Sequence, residues 1–292
     1  MDSANGRLER AIRAKRKVIV LLNEQKQAII HRAVTRGLDP SVPLKPSGIP
    51  WLGDIPRHWE VLALKRVLRR LLDCEHKTAP HVEESAFRVV RTTGVRHGAL
   101  RIRGTYCTSS DAFHAWTRRG LPEPGDVVFT REAPAGEACI VPEDMNVCLG
   151  QRTVLMKPNK RRLDPQFLVH MIYAGPPRIS ITLASQGSTV GHFNMADIGS
   201  LTILLPPRQE QDEIVAAVVE QTAGLDIAMS RLEREIELLR EYRTRLVADV
   251  VTGKLDVREA AAGLPDEAAP NTVEDDAELS DEPEPADEDA VA

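Results

Sequence analysis

The side chains with most to offer chemically lie in short polar stretches between apolar runs. Asp73-Cys74-Glu75-His76-Lys77-Thr78 is one. Arg91-Thr92-Thr93, followed by Arg96 and His97, is another. Arg131-Glu132, Gln151-Arg152, Lys160-Arg161-Arg162 and Gln186-Gly187-Ser188-Thr189 complete the set. Arg and Gln can grip the edges of guanine and adenine in bidentate fashion, while Lys, Ser and Thr suit phosphate oxygens. Gly187 has no Cβ, so the backbone there can approach a phosphate closely. Any one of these residues alone is more simply a solvated charge or a turn hydrogen bond. The signal lies in several such loops on one chain.

Other chemistries lack their residues. No G-x-x-x-x-G-K-[ST] loop occurs, because Gly253-Lys254 is followed by Leu255. No glycine fingerprint follows a strand pattern, so no nucleotide or methyl-donor site is signalled. Pro206-Pro207 stands between Leu205 and Arg208, without the Asn/Asp and aromatic flanks of an amino-methyltransferase. Pro265-Asp266 does not make a nuclease pattern, and neither H-E-x-x-H nor G-x-S-x-G is present. The expectation is a chain that is not an enzyme by itself. The four cysteines, Cys74, Cys107, Cys139 and Cys148, form no C-x-x-C pair, so neither a disulfide framework nor a zinc site is expected. Cys74-Glu75-His76 reads as ordinary loop rather than a metal site.

Charge points the same way as the loops. The 292 residues hold 43 acidic and 38 basic side chains. Twelve of the acidic ones, and no Lys or Arg, fall in 264–292, so 1–263 has 31 acidic against 38 basic residues, about +7. A basic body beside an acidic tail fits a polyanion partner. The tail, taken from 259 onward, has almost no large apolar residue and reads as disordered. No apolar run approaches the roughly 20 residues of a membrane span, and Met1-Asp2-Ser3 opens no signal peptide, so a cytoplasmic location is expected.

Four segments must position these loops: 1–43, 44–206, 207–258 and 259–292. In the first, Leu8, Ile12, Ile19, Leu22, Ile29 and Ala33 recur at helical spacing, predicting a helix from about 6 to Thr35 that ends near Gly37. In the third, Leu225, Leu232, Leu239 and Leu246 lie seven apart, with Met229 and Ile236 in the second seam, an a/d pattern for a coiled coil. Thr222 and Gly224 predict a break or kink near 221–225. The two segments resemble each other. Arg7-Leu8-Glu9-Arg10 matches Arg231-Leu232-Glu233-Arg234, and Val34-Thr35 with Leu38-Asp39 matches Val251-Thr252 with Leu255-Asp256. The two offsets differ by one heptad, which preserves an apolar seam. Between them, 44–206 is α+β. Trp59–Leu72 reads as a basic amphipathic helix bearing Lys65, Arg66, Arg69 and Arg70. Phe87–Val95, Leu100–Arg103, Asp126–Arg131, Ala138–Val141, Val147–Lys157 and Leu201–Leu205 read as strands. Ser109/Ser110-Asp111 opens a short helix, and Asp164-Pro165 caps another that ends before Gly175.

Taken together, certain segments resemble the specificity (S) subunits of type I restriction–modification systems. They are Ala33-Val34-Thr35-Arg36-Gly37-Leu38-Asp39-Pro40, Ser47-Gly48-Ile49-Pro50-Trp51-Leu52-Gly53-Asp54-Ile55-Pro56-Arg57-His58-Trp59, and Asp73 to Thr78. Gly125-Asp126-Val127-Val128-Phe129-Thr130-Arg131-Glu132-Ala133-Pro134, Gln186 to Thr189, and Leu204-Leu205-Pro206-Pro207-Arg208-Gln209-Glu210-Gln211 complete them. The resemblance covers roughly 7–258. It implies one target recognition domain between two helical conserved regions that pair antiparallel, in a half-length form of such a subunit. It also implies double-stranded DNA, methyltransferase (M) and restriction (R) subunits as partners, and a second S fragment or a second copy. S-adenosylmethionine, ATP and Mg would belong to the partner subunits, as would adenine methylation and cleavage. Residues expected at the DNA are His76, Lys77, Thr78, Arg91, Thr92, Thr93, Arg131, Gln151, Gln186, Gly187, Ser188 and Thr189. The alternative is a coiled-coil interaction protein, or an inactive fragment, without specific DNA binding.

Overall fold

The computed structural model describes residues 2–186 and 193–252, so the acidic tail and Gly187, Ser188 and Thr189 lie outside the described residues. Contacts divide the chain into two units, one of residues 1–22 with 225–292 and one of residues 23–224.

The first unit pairs parts of two helices, α1 (Asp2–Arg36) and a last helix (Arg208–Val251). Lys15 Nζ lies 2.6 Å from Glu235 Oε2, and Arg243 lies 3.3 Å from Glu9. One position rises as the other falls, so the two segments run antiparallel. Ile12 and Ile236 are buried between these ion pairs. Leu225, Met229, Leu232, Leu239 and Leu246 are partly buried, while Arg231, Glu233, Arg234 and Glu237 are exposed. The seven-residue spacing thus selects the inward face. The last helix is unbroken through 221–225, contrary to the expected break. Thr222 is buried rather than capping, and a Cβ at Gly224 would meet nothing within 4 Å. One glycine costs a helix interior only about 1 kcal/mol, which packing on both sides outweighs.

The second unit holds the mixed domain. A hairpin of β1 (Leu44–Pro46) and β2 (Asp54–Pro56) leads into β3 (Glu60–Ala63) and β4 (Leu68–Asp73). The helix expected over 59–72 is therefore absent: two strands joined by a 3₁₀ turn at Leu64–Arg66 take its place. Lys65, Arg66, Arg69 and Arg70 still face outward, and Leu64 and Val67 inward. Partner strands decide the local conformation, and these lie far along the chain. Next come β5 (Phe87–Val90), β6 (Val95–Arg96), β7 (Ala99–Leu100), β8 (Thr105–Cys107) and α2 (Ser110–Trp116). Helix α2 is capped by Ser109, whose side chain accepts from the Ala112 N–H. Phe87–Val95 and Leu100–Arg103 are each interrupted by a 3₁₀ turn, at Thr92–Gly94 and Ile102–Gly104.

The second half contains β9 (Val127–Thr130), β10 (Ala138–Ile140), β11 (Asn146–Leu149) and β12 (Thr153–Pro158). The single strand expected over 147–157 is split by a turn at Gly150–Arg152. Helices α3 (Pro165–Ala174), α4 (Pro176–Gln186) and α5 (Met195–Ser200) follow, then β13 (Thr202–Leu205) and α6, the last helix already described. Asp164 accepts from the Phe167 N–H at 2.9 Å, as its N-cap position requires. Neither α4 nor α5 is foreseen by the sequence.

Strands β10-β9-β12-β4 form an antiparallel sheet, and β11-β5-β8 form a second in which β5 and β11 run parallel. β13 pairs with β3. Alternation along β9 and β12 shows why they are apolar throughout. Val127, Phe129, Val154 and Met156 face the helical core with Phe167, Leu168 and Met171, whereas Val128 and Leu155 face a second core with Val90, Val147 and Leu149. β4 closes one side of its sheet, carrying exposed Arg69 and Arg70.

The first turn of α6 is fixed by two side chains. Glu210 accepts from Trp59 Nε1 at 3.0 Å and pairs with His58 Nε2 at 2.7 Å. Gln211 is fully buried: its carbonyl accepts from the Asp164 N–H at 2.8 Å, and its amide donates to the carbonyls of Arg162 and Pro206. Gly37 ends α1 in the left-handed region, at φ 74°, with its N–H on the Ala33 carbonyl. A Cβ there would press on Glu210 Oε1 at 3.2 Å and Trp59 at 3.3 Å. We expect Gln211→Ala to cost about 2–4 kcal/mol, because it strands buried backbone groups. Gln209→Ala, which removes an exposed pair with Glu213, should change stability by less than about 0.5 kcal/mol. Urea midpoints of the two variants check the contrast.

Candidate nucleic-acid interface

The chain ends of several strands converge. Register places Asp73 opposite Val154 and Thr130 opposite Thr153, so the end of β4, the end of β9 and the start of β12 are neighbours. Leu149 of β11 lies opposite Val90 of β5, and the Gly150 N–H donates to the Val90 carbonyl at 2.9 Å. The loops after β4, β5, β9 and β11 therefore open in one region. Each carries residues singled out in the sequence.

Asp73 organises this region. Arg131 Nη1 donates to Oδ1 at 2.9 Å and to Oδ2 at 3.1 Å. His76 Nε2 lies 2.9 Å from Oδ2, and the Cys74 N–H lies 3.0 Å from Oδ1. Cys74 Sγ donates to the Gln151 carbonyl at 2.8 Å. His76, Arg131 and Gln151 are thus brought together. Arg131 is buried, whereas His76, Lys77, Thr78 and Gln151 are exposed. The Phe193 N–H donates to the Arg131 carbonyl, so the described chain resumes beside this group.

The remaining residues divide. Arg91 is half-buried, with its guanidinium 5.7 Å from the Tyr106 ring centroid. Thr92 is buried, and its carbonyl accepts from Arg96 Nη1. Thr93 is half-buried, its hydroxyl 3.4 Å from the Gly104 carbonyl. Gln186 ends α4, and its side chain lies outside the described residues, as do Gly187, Ser188 and Thr189. Lys160-Arg161-Arg162 follows the opposite end of β12, where Lys160 binds the Pro124 carbonyl and Arg162 pairs with Glu60. It does not join the group. The residue the sequence conceals is Asp73. It begins a polar stretch that attracts notice, but nothing in the sequence pairs it with Arg131, 58 positions away.

Electrostatics explains the hub. Burial alone would raise the Asp73 carboxyl, but hydrogen bonds from Arg131 and His76 more than offset this and hold it below its usual value. The ion pair is therefore present across the neutral range, and its stabilisation is lost only as pH falls through that lowered value. Burial, with the Asp73 charge nearby, pushes the Cys74 thiol up to about 12. The thiol is thus a protonated donor at neutral pH. Asp73, Cys74 and His76 place donor atoms within 4.8 Å of one another. With the thiol protonated and the carboxylate on Arg131, these groups act as a hydrogen-bonding hub.

Comparison with known proteins assigns the domain. A family model for the type I restriction modification DNA specificity domain matches residues 120–238. Residues 120–238 thus resemble a type I specificity domain. The match begins ahead of β9 and runs into α6, so it includes Arg131, Gln151 and the Glu210–Gln211 joint. The chain is 22% identical over 247 residues to the type I restriction enzyme MjaVIII specificity subunit of Methanocaldococcus jannaschii, covering 83% of this chain and 56% of that one. A solved structure of a type I restriction–modification system superposes with a TM-score of 0.55 at 16% identity, covering 85% of this chain and 56% of the other. The shared architecture is the fold described above. The chain spans about half the length of the relatives it matches. Among the described residues, no helix is long and apolar enough to cross a membrane.

The thiols give a direct check on burial. Cys74, Cys139 and Cys148 are buried and pushed up to about 12, while Cys107 is partly exposed. Iodoacetamide at pH 8 should label the native chain at Cys107 alone, and all four sites after unfolding in urea. Mass spectrometry of tryptic peptides reads the result.

Proposed function

We propose that this chain reads a DNA sequence for a type I restriction–modification complex and is itself non-catalytic. The observation that carries this reading is the convergence of polar and cationic side chains at four strand ends, on a domain of the specificity family. His76, Lys77, Thr78, Arg91, Gln151 and the stretch from Gln186 to Thr189 are the proposed contacts. Lys77 and Thr78 suit phosphates, and Gln151 suits an adenine edge. Methylation of adenine with S-adenosylmethionine, and cleavage with ATP and Mg, fall to M and R subunits. The absence of any nucleotide-binding or methyl-donor motif supports that division. Cytoplasmic residence follows from the role.

Affinity for duplex DNA should fall steeply with salt, because cation release drives contact with phosphates. Residues 1–263 should bind more tightly than the full chain at low salt, because the twelve acidic residues of the tail compete with phosphate. Titration of both forms at two salt concentrations tests this. Binding that is weak and independent of salt would favour the alternative, an interaction protein whose helices are its working part. Lys77→Ala should weaken binding to all sequences, while Gln151→Ala should relax one position at a cost of about 1–3 kcal/mol.

A single recognition domain reads one half of a two-part site. We propose that the chain works with a second recognition domain, supplied by another S fragment or by a second copy related by a two-fold axis. Light scattering of the complex with M subunits should give two such domains per assembly. An active complex with one S chain, methylating a site with one specified half, would overturn this.

A further inference from the structure

We infer that Asp73 is the positioning residue for sequence readout, one carboxylate setting the mutual placement of the loops that carry His76 and Arg131, while its neighbour Cys74 holds the loop of Gln151. The inference rests on the DNA-reading function proposed above. The sheet does not need Asp73 for its register. β4, β9 and β12 are already aligned by their backbone ladders, from Asp73 opposite Val154 to Thr130 opposite Thr153. One further backbone bond, from the Arg131 N–H to the Arg152 carbonyl at 3.1 Å, ties the roots of two of the loops, and what is left open is where His76 and the Arg131 side chain point.

Asp73 and its neighbour Cys74 close that gap. The carboxylate binds the side chain of Arg131 across 58 positions, and the thiol binds the carbonyl of Gln151 across 77. His76 is drawn back onto the same carboxylate with a left-handed backbone, at φ 39°. The Arg131 side chain is only 10% exposed and that of Asp73 24%. This is therefore not a solvated surface pair of negligible worth. Arg131 consequently acts through Asp73 as a fixed strut, while exposed His76 and Gln151 are the groups presented outward.

A carboxylate is otherwise a liability on a face that meets a polyanion. That gives Asp73→Asn two effects of opposite sign. Removing the charge should leave affinity for mixed-sequence duplex unchanged, or tighten it a few-fold. Loosening the loops should lower discrimination between sequences at least tenfold. A role in electrostatics alone would tighten both kinds of binding. A role in the fold alone would weaken both and expose the strands.

The test uses the full chain and Asp73→Asn, with capture from a pool of randomised duplexes to find the preferred site, and mixed-sequence duplex as reference. Amide hydrogen exchange of the DNA-free proteins runs in parallel. The expected result is faster exchange over 74–78, 131–136 and 150–152, with β9 and β12 still protected, and a tenfold or greater loss of discrimination. Discrimination within twofold of the parent, or exchange that rises throughout β9 and β12, would overturn the positioning role alone. A parent chain that selects no sequence would instead overturn the DNA-reading function, whatever the exchange data, and the positioning role with it.

Discussion

Gln211 has no exposed surface, and it spends both halves of its amide on backbone. The second unit depends on that interaction. One side chain at the start of α6 supplies a partner to the first N–H of the turn that opens α3, and to carbonyls on either side of β13 and α3. Glu210, one residue earlier, accepts the indole N–H of Trp59, whose ring is wholly buried in the core. Left-handed Gly37 fits between them because it has no Cβ. The place where α1 enters the domain and the place where α6 begins are thereby tied through three adjacent groups.

From that joint the frame runs outward to the loops. Strands β9 and β12 are covered on both faces, so their ends are held as firmly as their middles. The loop residues are consequently mounted on rigid supports, as the proposed discrimination between base edges would require. Lys157, itself mostly buried, is neutralised by Asp126 and Glu123 at the opposite end of the sheet. Lys157 there serves the fold, whereas Lys77 at the loop end faces solvent.

Much of this was legible in the residues. The seven-residue spacing marked the inward face of α6, Gly37 marked the end of α1, and Asp164-Pro165 marked the start of α3, because each effect is local. The stretch 59–72 was misread because its apolar and basic residues suit either a helix or two strands. The choice is made by β12 and β13, which lie some 85 to 140 positions later. The break expected at Thr222 failed for a similar reason: a threonine caps only when the chain before it leaves the helix, and here packing carries the helix through. The loops that carry the candidate site were visible as polar stretches. Their meeting point was not, since the pairing of Asp73 with Arg131 is a fact of sheet order. Thr92 shows the reverse case, a polar residue in a promising loop whose side chain turns into the core.

The open side of β4 has a further consequence. A terminal strand offers its unpaired backbone to any neighbour able to extend the sheet, and long flat edges of this kind invite uncontrolled stacking. Here the edge carries Arg69 and Arg70, and Arg70 is folded back onto the Arg119 carbonyl. An approaching strand would have to desolvate two guanidinium groups before gaining its first backbone bond. These basic side chains therefore disfavour edge-to-edge pairing of one molecule with the next.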